Sequence, residues 1–319
     1  MRYCLVFFLA CVSCGAPAQT YPSRPIRVLI PFPAGSAADI IARAMEPQLR
    51  ERLGQSLVID NRGGAGGNIA AEMTAKSAPD GYTIMMATIG THAINHSLYS
   101  RLPFHPVRDF TPVTLVGDSP NALVTTPRVQ ANSIQDLIAL AKAKPGQLNY
   151  GSSGSGTTVH LSGELFSVMT GIKMVHIPYK GATEALTGLL GGQTDLMFAS
   201  LSSSIPLIRS GKLKAFGVTG AQRSRSLPDL PTVAEAGNLP GFAATAWFGI
   251  VGPAGVAKPS VATLNKAALE TLNTQEVKDR LFNSGVEVRS STPEDFARLI
   301  ESEMAKWAKV VKASGAKVD

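Results

Sequence analysis

Short apolar runs alternate with stretches whose apolar positions recur every three or four residues along most of the chain. Ile26–Ile30 reads as a strand, ended by Pro31, Pro33 and Gly35. Over Ala37–Leu53 the apolar positions Ile40, Ile41, Ala44, Met45 and Leu49 fall at helical spacing. Residues 57–59 and 83–87 are the next strands, with a glycine-rich loop at 63–67 and a helix from about 68 to 77 between them. Residues 133–144 form an amphipathic helix with Ser133 as N-cap, Asp136 at its third position and Pro145-Gly146 as its stop. Strand, helix, strand, helix, strand then follow at 148–150, 157–170, 174–177, 182–190 and 196–199. At the end of the chain Thr292 is an N-cap, Pro293 the first helical residue, and Glu294-Asp295 lie where the helix dipole favours anions. Phe296, Leu299, Ile300, Trp307, Val310 and Val311 mark one apolar face of that helix. Strands alternating with helices predict βαβ units: an α/β protein with a mostly parallel sheet.

Two segments, 115–126 and 241–251, are long, apolar and extended, each preceded or interrupted by Pro or Gly. Read as crossings between domains, they make the first domain discontinuous, 19–120 plus 242–319, with 121–241 as the second. Two crossings form a hinge, and ligands prefer clefts between domains.

The N-terminus changes the picture of the cysteines. Arg2, an apolar stretch from Tyr3 to Val12 and then Ala16-Pro17-Ala18 describe a secretory signal peptide over residues 1–18. Cleavage after Ala18 removes Cys4, Cys11 and Cys14, all three cysteines of the 319-residue chain. The exported protein then has no disulfide, no cysteine nucleophile and no cysteine-ligated metal. The rival is a lipid anchor at Cys14, although Cys11 stands where leucine is usual three residues before such a site.

Of 30 basic residues Arg2 leaves with the signal, so 29 face 23 acidic ones, a net charge of +6. The cations are scattered, and two tryptophans offer little for stacking bases. A nucleic-acid partner is not expected. A mildly basic surface favours the approach of anions.

Chemistry concentrates in two loops. Pro31-Phe32-Pro33-Ala34-Gly35-Ser36-Ala37-Ala38-Asp39 joins the first strand to the first helix. Gly151-Ser152-Ser153-Gly154-Ser155-Gly156-Thr157-Thr158-Val159-His160 does the same further on. Strand, glycine turn and helix start bring backbone N–H groups and the positive end of a helix dipole to the carboxyl end of a sheet, which suits an anion. The expected donors are the amides of Gly35, Ser36 and the turn from Ser153 to Thr157. Nucleotide and hydrolase readings fail on detail: there is no G-x-x-x-x-G-K-[ST], no G-x-S-x-G, no S-x-x-K and no H-E-x-x-H. His92 and His96, four apart, would share a helix face, but no acidic or third ligand stands near them, so no metal is expected. His160 and His176 read as helix-start and strand-end residues. Asp195 reads as a turn-orienting residue, with a role in the cleft as the alternative.

With these loops laid out, the sequence resembles the periplasmic solute-binding proteins of tripartite tricarboxylate transporters, the Bug family. The resemblance runs from about Tyr21 to Val311. It is carried by residues 31–39, Asn61-Arg62-Gly63-Gly64-Ala65-Gly66-Gly67-Asn68, Ala78-Pro79-Asp80-Gly81-Tyr82 and Gly90-Thr91-His92-Ala93-Ile94-Asn95. Residues 148–157, His160-Leu161, Val175-His176-Ile177-Pro178-Tyr179-Lys180-Gly181, residues 191–195 and Leu230-Pro231-Thr232 complete it.

The resemblance implies a two-lobe periplasmic-binding-protein fold of Venus-flytrap, type II-like form. It implies a receptor, without cofactor or catalytic residue, that binds a small carboxylate and delivers it to an integral-membrane permease, and a monomer is expected. It nominates Phe32, Ala34, Gly35, Ser36 and Asp39 on one side of the cleft, with Ser152, Ser153, Ser155, Gly156, Thr157 and His160 opposite. Thr91, Tyr179 and Asp195, in matching motifs, complete the candidate set. Two departures stand out: Ser36 replaces a usual second glycine, and Ala182-Thr183-Glu184-Ala185 stands where the family tends to place Pro. The alternatives are a ligand sensor that presents its bound state to a signalling partner, and an exported hydrolase using a loop serine.

Overall fold

A computed structural model describes residues 21–318. The signal-peptide reading of residues 1–18 and the Cys14 alternative lie outside the described residues. The first part runs β1 (Ile26–Ile30), α1 (Ala37–Leu53), β2 (Leu57–Asn61), α2 (Asn68–Ala75), β3 (Thr83–Thr88), α3 (Asn95–Leu98) and the long strand β4 (Phe110–Thr125). The middle follows as α4 (Ile134–Ala143), β5 (Asn149–Ser152), α5 (Thr158–Thr170), β6 (Val175–Pro178), α6 (Ala182–Gly191) and β7 (Leu196–Ser200). It closes with α7 (Leu201–Arg209), β8 (Lys214–Val218) and α8 (Val233–Gly237). The chain ends with β9 (Thr245–Pro253), α9 (Lys258–Leu272), α10 (Gln275–Asn283), β10 (Glu287–Val288) and α11 (Pro293–Ser314).

Local chemistry sets the helix ends. Ser36, Ser133, Thr157 and Thr292 each accept the N–H three residues on, capping α1, α4, α5 and α11. Glycines in the left-handed conformation end three of these helices, at Gly54, Gly171 and Gly315.

The strands pair in the order β2-β1-β3-β9-β4-β7-β5-β6, with β8 and β10 also on β4. The βαβ units pair in parallel, β1 with β2 and β3, and β5 with β6 and β7. Every ladder made by β4 or β9 is antiparallel. The sheet is therefore mixed, where the sequence predicts a mostly parallel one. An apolar run marks a strand but does not carry its direction, which follows from where the chain must return.

β4 joins the two halves. Its residues up to Pro120 pair with β9, and from Asn121 onward they pair with β7 and β8. One apolar cluster fills the first half around Leu29, Ile41, Met85, Phe248, Phe296 and Trp307. Two further clusters cover opposite faces of the second half. Alternation along the strands divides them: Leu123 and Phe198 face one cluster, Val124 and Met197 the other. Phe242 packs in the second half's cluster and Ala244 in the first's. Among the described residues no helix is long and apolar enough to cross a membrane.

Candidate functional site

The carboxyl ends of β1, β5, β6 and β7 each lead straight into a helix, α1, α5, α6 and α7. All four helix starts reach one cavity of about 70 Å³ between the halves of the molecule. Its walls are Phe32, residues 36–38, Thr88, Ile89, Gly90, Ala246 and Phe248 from the first half. Ser153, Thr157, Thr158, Val159, Gly181, Ala182 and Ser200 line it from the second, and Asn121 at the strand junction. No charged side chain is among them. The field inside comes from peptide dipoles, whose positive ends all point inward.

Several of the expected donors are already spent within their loops. The Gly35 N–H donates to Asp39 Oδ2 at 2.9 Å and the Ser36 N–H to the Pro33 carbonyl at 3.2 Å. The Gly156 N–H donates to His160 Nδ1 at 3.2 Å and the Thr157 N–H to the Gly154 carbonyl at 3.4 Å. Each loop consumes its own amides in holding its shape. The next residues are different. Among the described residues, the N–H groups of Ala37 and Ala38 on α1 and of Thr158 and Val159 on α5 have no protein acceptor. They are the first two helical positions, whose N–H groups no preceding turn can satisfy. Of the expected donors, the Ser153 and Ser155 N–H groups likewise have no protein acceptor among the described residues.

The remaining nominated residues sort by position. Phe32, Ser36, Ser153 and Thr157 line the cavity. Ala34 lines a neighbouring recess of about 190 Å³ beside Lys180 and Glu184. Ser155 and Tyr179 line an outer part of the cleft of about 730 Å³ with Phe32 and Gly66. Asp39 is buried and faces its own loop, accepting from Gly35, Arg43 Nε at 3.0 Å and Asn61 Nδ2 at 3.0 Å. Burial pushes its pKa up, but these three donors outweigh that and hold the carboxyl below the usual range. Thr91, fully buried, accepts the Thr88 N–H at 3.1 Å and so fixes the turn that supplies Thr88, Ile89 and Gly90.

His160 and His176 stack at 3.9 Å, with Tyr150 4.9 Å beyond. Ser152 Oγ lies 2.6 Å from His176 Nε2 and accepts the Gly154 N–H at 3.2 Å. Burial, and secondarily His176, lowers His160 to about 3; burial lowers His176 to about 4. Both rings are neutral near pH 7 and brace the loop behind the cavity. Asp195 accepts the Asn149 N–H at 2.7 Å, at the start of β5 and the far end of the sheet from the cavity. It orients that turn, and its placement in the cleft is corrected. His92 and His96 do not share a face, because Gly90–Ile94 winds as a wider π turn that buries His92 beside Phe110 and leaves His96 exposed. Among the described residues no group of three or more metal-ligating side chains forms.

Ala37, Ala38, Thr158 and Val159 stand in the two loops singled out by the sequence without being nominated, and Thr88, Ile89, Gly90, Asn121, Gly181, Ala182, Ser200, Ala246 and Phe248 were not nominated either. A positional signal was available for Thr88, Ile89, Gly90 and Ser200, which directly follow a predicted strand.

A two-lobed α/β protein whose strand ends and helix starts meet in an interlobe cleft is a binding protein of the periplasmic solute-receptor class. The profile of the tripartite tricarboxylate transporter family receptor, TctC, matches residues 41–316. The chain is 38% identical over 314 residues to protein BugT of Bordetella pertussis (strain Tohama I), covering 98% of this chain and 96% of that one. The solved structure of R. palustris Rpa4515 with adipate superposes with a TM-score of 0.90 at 39% identity, covering 93% of this chain and 100% of that one. MatC (Rpa3494) from Rhodopseudomonas palustris with bound malate gives 0.86 at 33%, covering 91% and 100%. The chain belongs to the tripartite tricarboxylate transporter receptor family.

Proposed function

We propose that this protein binds a small carboxylate between its lobes and presents it, from the periplasm and as a monomer, to the integral-membrane permease of a tripartite transporter. The lobes would be the residues up to 120 with the segment from 242 onward, and residues 121–241. The observation that carries the reading is the set of four unpartnered first-turn amides, two from each lobe, around an uncharged cavity. Hydrogen bonds to a charged group are worth about 1.5–3 kcal/mol each. Three or four, less ordering and closure costs, support roughly micromolar affinity. The adipate and malate bound to the two solved relatives are of this chemical class. The apolar walls (Phe32, Ile89, Val159, Phe248) suit the ligand's carbon chain.

Catalysis is no part of this reading. The Ser152 hydroxyl, the serine nearest a histidine, is fully buried and does not line the cavity. A thermal-shift screen over mono-, di- and tricarboxylates tests the proposal, since a binder stabilises by RT ln(1 + [L]/Kd). At least one acid should raise Tm in proportion to its logarithmic concentration. A flat response across all three groups would reject it.

A further inference from the structure

Asn121 sits where β4 leaves one half of the sheet and enters the other. Its backbone is pinned on both sides: the N–H donates to Thr219 Oγ1 at 2.8 Å, and the carbonyl accepts the Thr219 N–H at 2.8 Å. Its side chain is fully buried and lines the cavity. One end of the carboxamide meets Ser162 Oγ at 3.3 Å. The other end, Oδ1, has no hydrogen-bond partner.

A buried polar atom left unpaired is costly, and leucine would fill the same space without that cost. Asn121 is among the residues that line the cavity, which makes a bound ligand the candidate for the missing partner. Turning the carboxamide over exchanges its two ends: Ser162 then donates to Oδ1, and Nδ2 faces the cavity instead. In either orientation one polar end is left without a protein partner. A hydroxyl satisfies both, because it can donate to Oδ1 or accept from Nδ2. A methylene at that point satisfies neither.

We infer that Asn121 reads a hydroxyl group on the bound acid, making hydroxycarboxylates the preferred ligands of this receptor. The inference rests on the carboxylate reading above. It adds a second recognition point, on the strand junction rather than at a helix start. A site that hydrogen-bonds a ligand hydroxyl discriminates strongly against the analogue lacking it, because its own polar group is then stranded.

Matched pairs differing by one hydroxyl test it: L-malate against succinate, 2-hydroxyglutarate against glutarate, and 3-hydroxybutyrate against butyrate. Affinities are measured by calorimetry on the wild type, Asn121→Leu and Ser162→Ala. In the wild type the hydroxylated member of at least one pair should bind about tenfold tighter or more. Asn121→Leu should bring that ratio to about one. Ser162→Ala, which frees the anchored end of the carboxamide, should reduce the ratio part of the way, and it serves alone if Asn121→Leu fails to fold. Equal affinities within every pair in the wild type, or a preference undiminished in the variants, would overturn the inference and leave the carboxylate reading standing. Absence of binding by any acid in either column would instead remove the carboxylate reading on which it rests.

Discussion

At the scale of single residues, the site is held by groups that never face the ligand. Asp39 and His160 each take a loop amide, which fixes Gly35 and Gly156 and leaves the amides beyond them exposed to the cavity. Gly156 shows how tight this support is. Its φ is +83°, and a β-carbon there would lie 2.0 Å from Asn95 Oδ1 in the other lobe. Gly156→Val should therefore abolish binding by preventing the lobes from meeting, with a further cost of about 1–2 kcal/mol for the left-handed backbone. Calorimetry and a thermal melt on the same sample check it; retained affinity would contradict the packing described.

The buried histidines give a pH signature. Burial lowers His92 to about 3, His160 to about 3 and His176 to about 4, against an ordinary value of 6.5. Their contribution is complete above pH 6.5. As pH falls below it, the unfolded chain takes up protons that the folded chain refuses. Stability should then drop, by at most about 1.4 kcal/mol per pH unit for each histidine, until the folded values are reached. Urea unfolding at intervals from pH 7.5 to 4.5 reads this slope, and His160→Gln should flatten it. A pH-independent midpoint over that range would contradict it.

At the scale of elements, helix starts do the work of recognition. Thr157 caps α5 and so aims the Thr158 and Val159 amides. Thr157→Val should cost about 1 kcal/mol of stability through the lost cap. It should also weaken ligand binding several-fold, whereas Ser133→Ala, which uncaps α4 away from the cavity, should lower stability alone. Parallel melts and titrations separate the two effects. Equal affinity in both variants would deny α5 its role.

The elements were legible where local chemistry decides them. The caps at Ser133 and Thr292 and the helix Ala37–Leu53 stand in the structure where the sequence places them. α7 was not read, because Ser202-Ser203-Ser204 and Pro206 look like loop, and tertiary packing overrides that preference. The two anion loops were legible as loops, but not which of their amides are spent. That depends on side chains such as Asp39 and His160 folding back. Asn121 was invisible for another reason: within an apolar strand nothing local says what lies opposite.

At the scale of the whole molecule, β4 pairs with strands of both halves, and cavity walls come from both. The lobes touch through glycines: a β-carbon on Gly66 would lie 2.5 Å from the Ser155 carbonyl, and one on Gly90 2.8 Å from the Gly156 carbonyl. We propose that the lobes part to admit the ligand. Small-angle scattering should accordingly show a smaller radius of gyration with a saturating carboxylate than without. An unchanged profile would mean that the lobes do not open.

The central claim is that neutral peptide dipoles, without any charged side chain, hold a carboxylate. It is tested most directly by calorimetry of the best-binding acid against its primary amide, which keeps the shape and removes the charge. The amide should bind at least about a hundredfold more weakly, the loss of two charge-assisted hydrogen bonds. The acid's affinity should change little with ionic strength, because its partners are buried rather than exposed. Equal affinity of acid and amide would contradict the account.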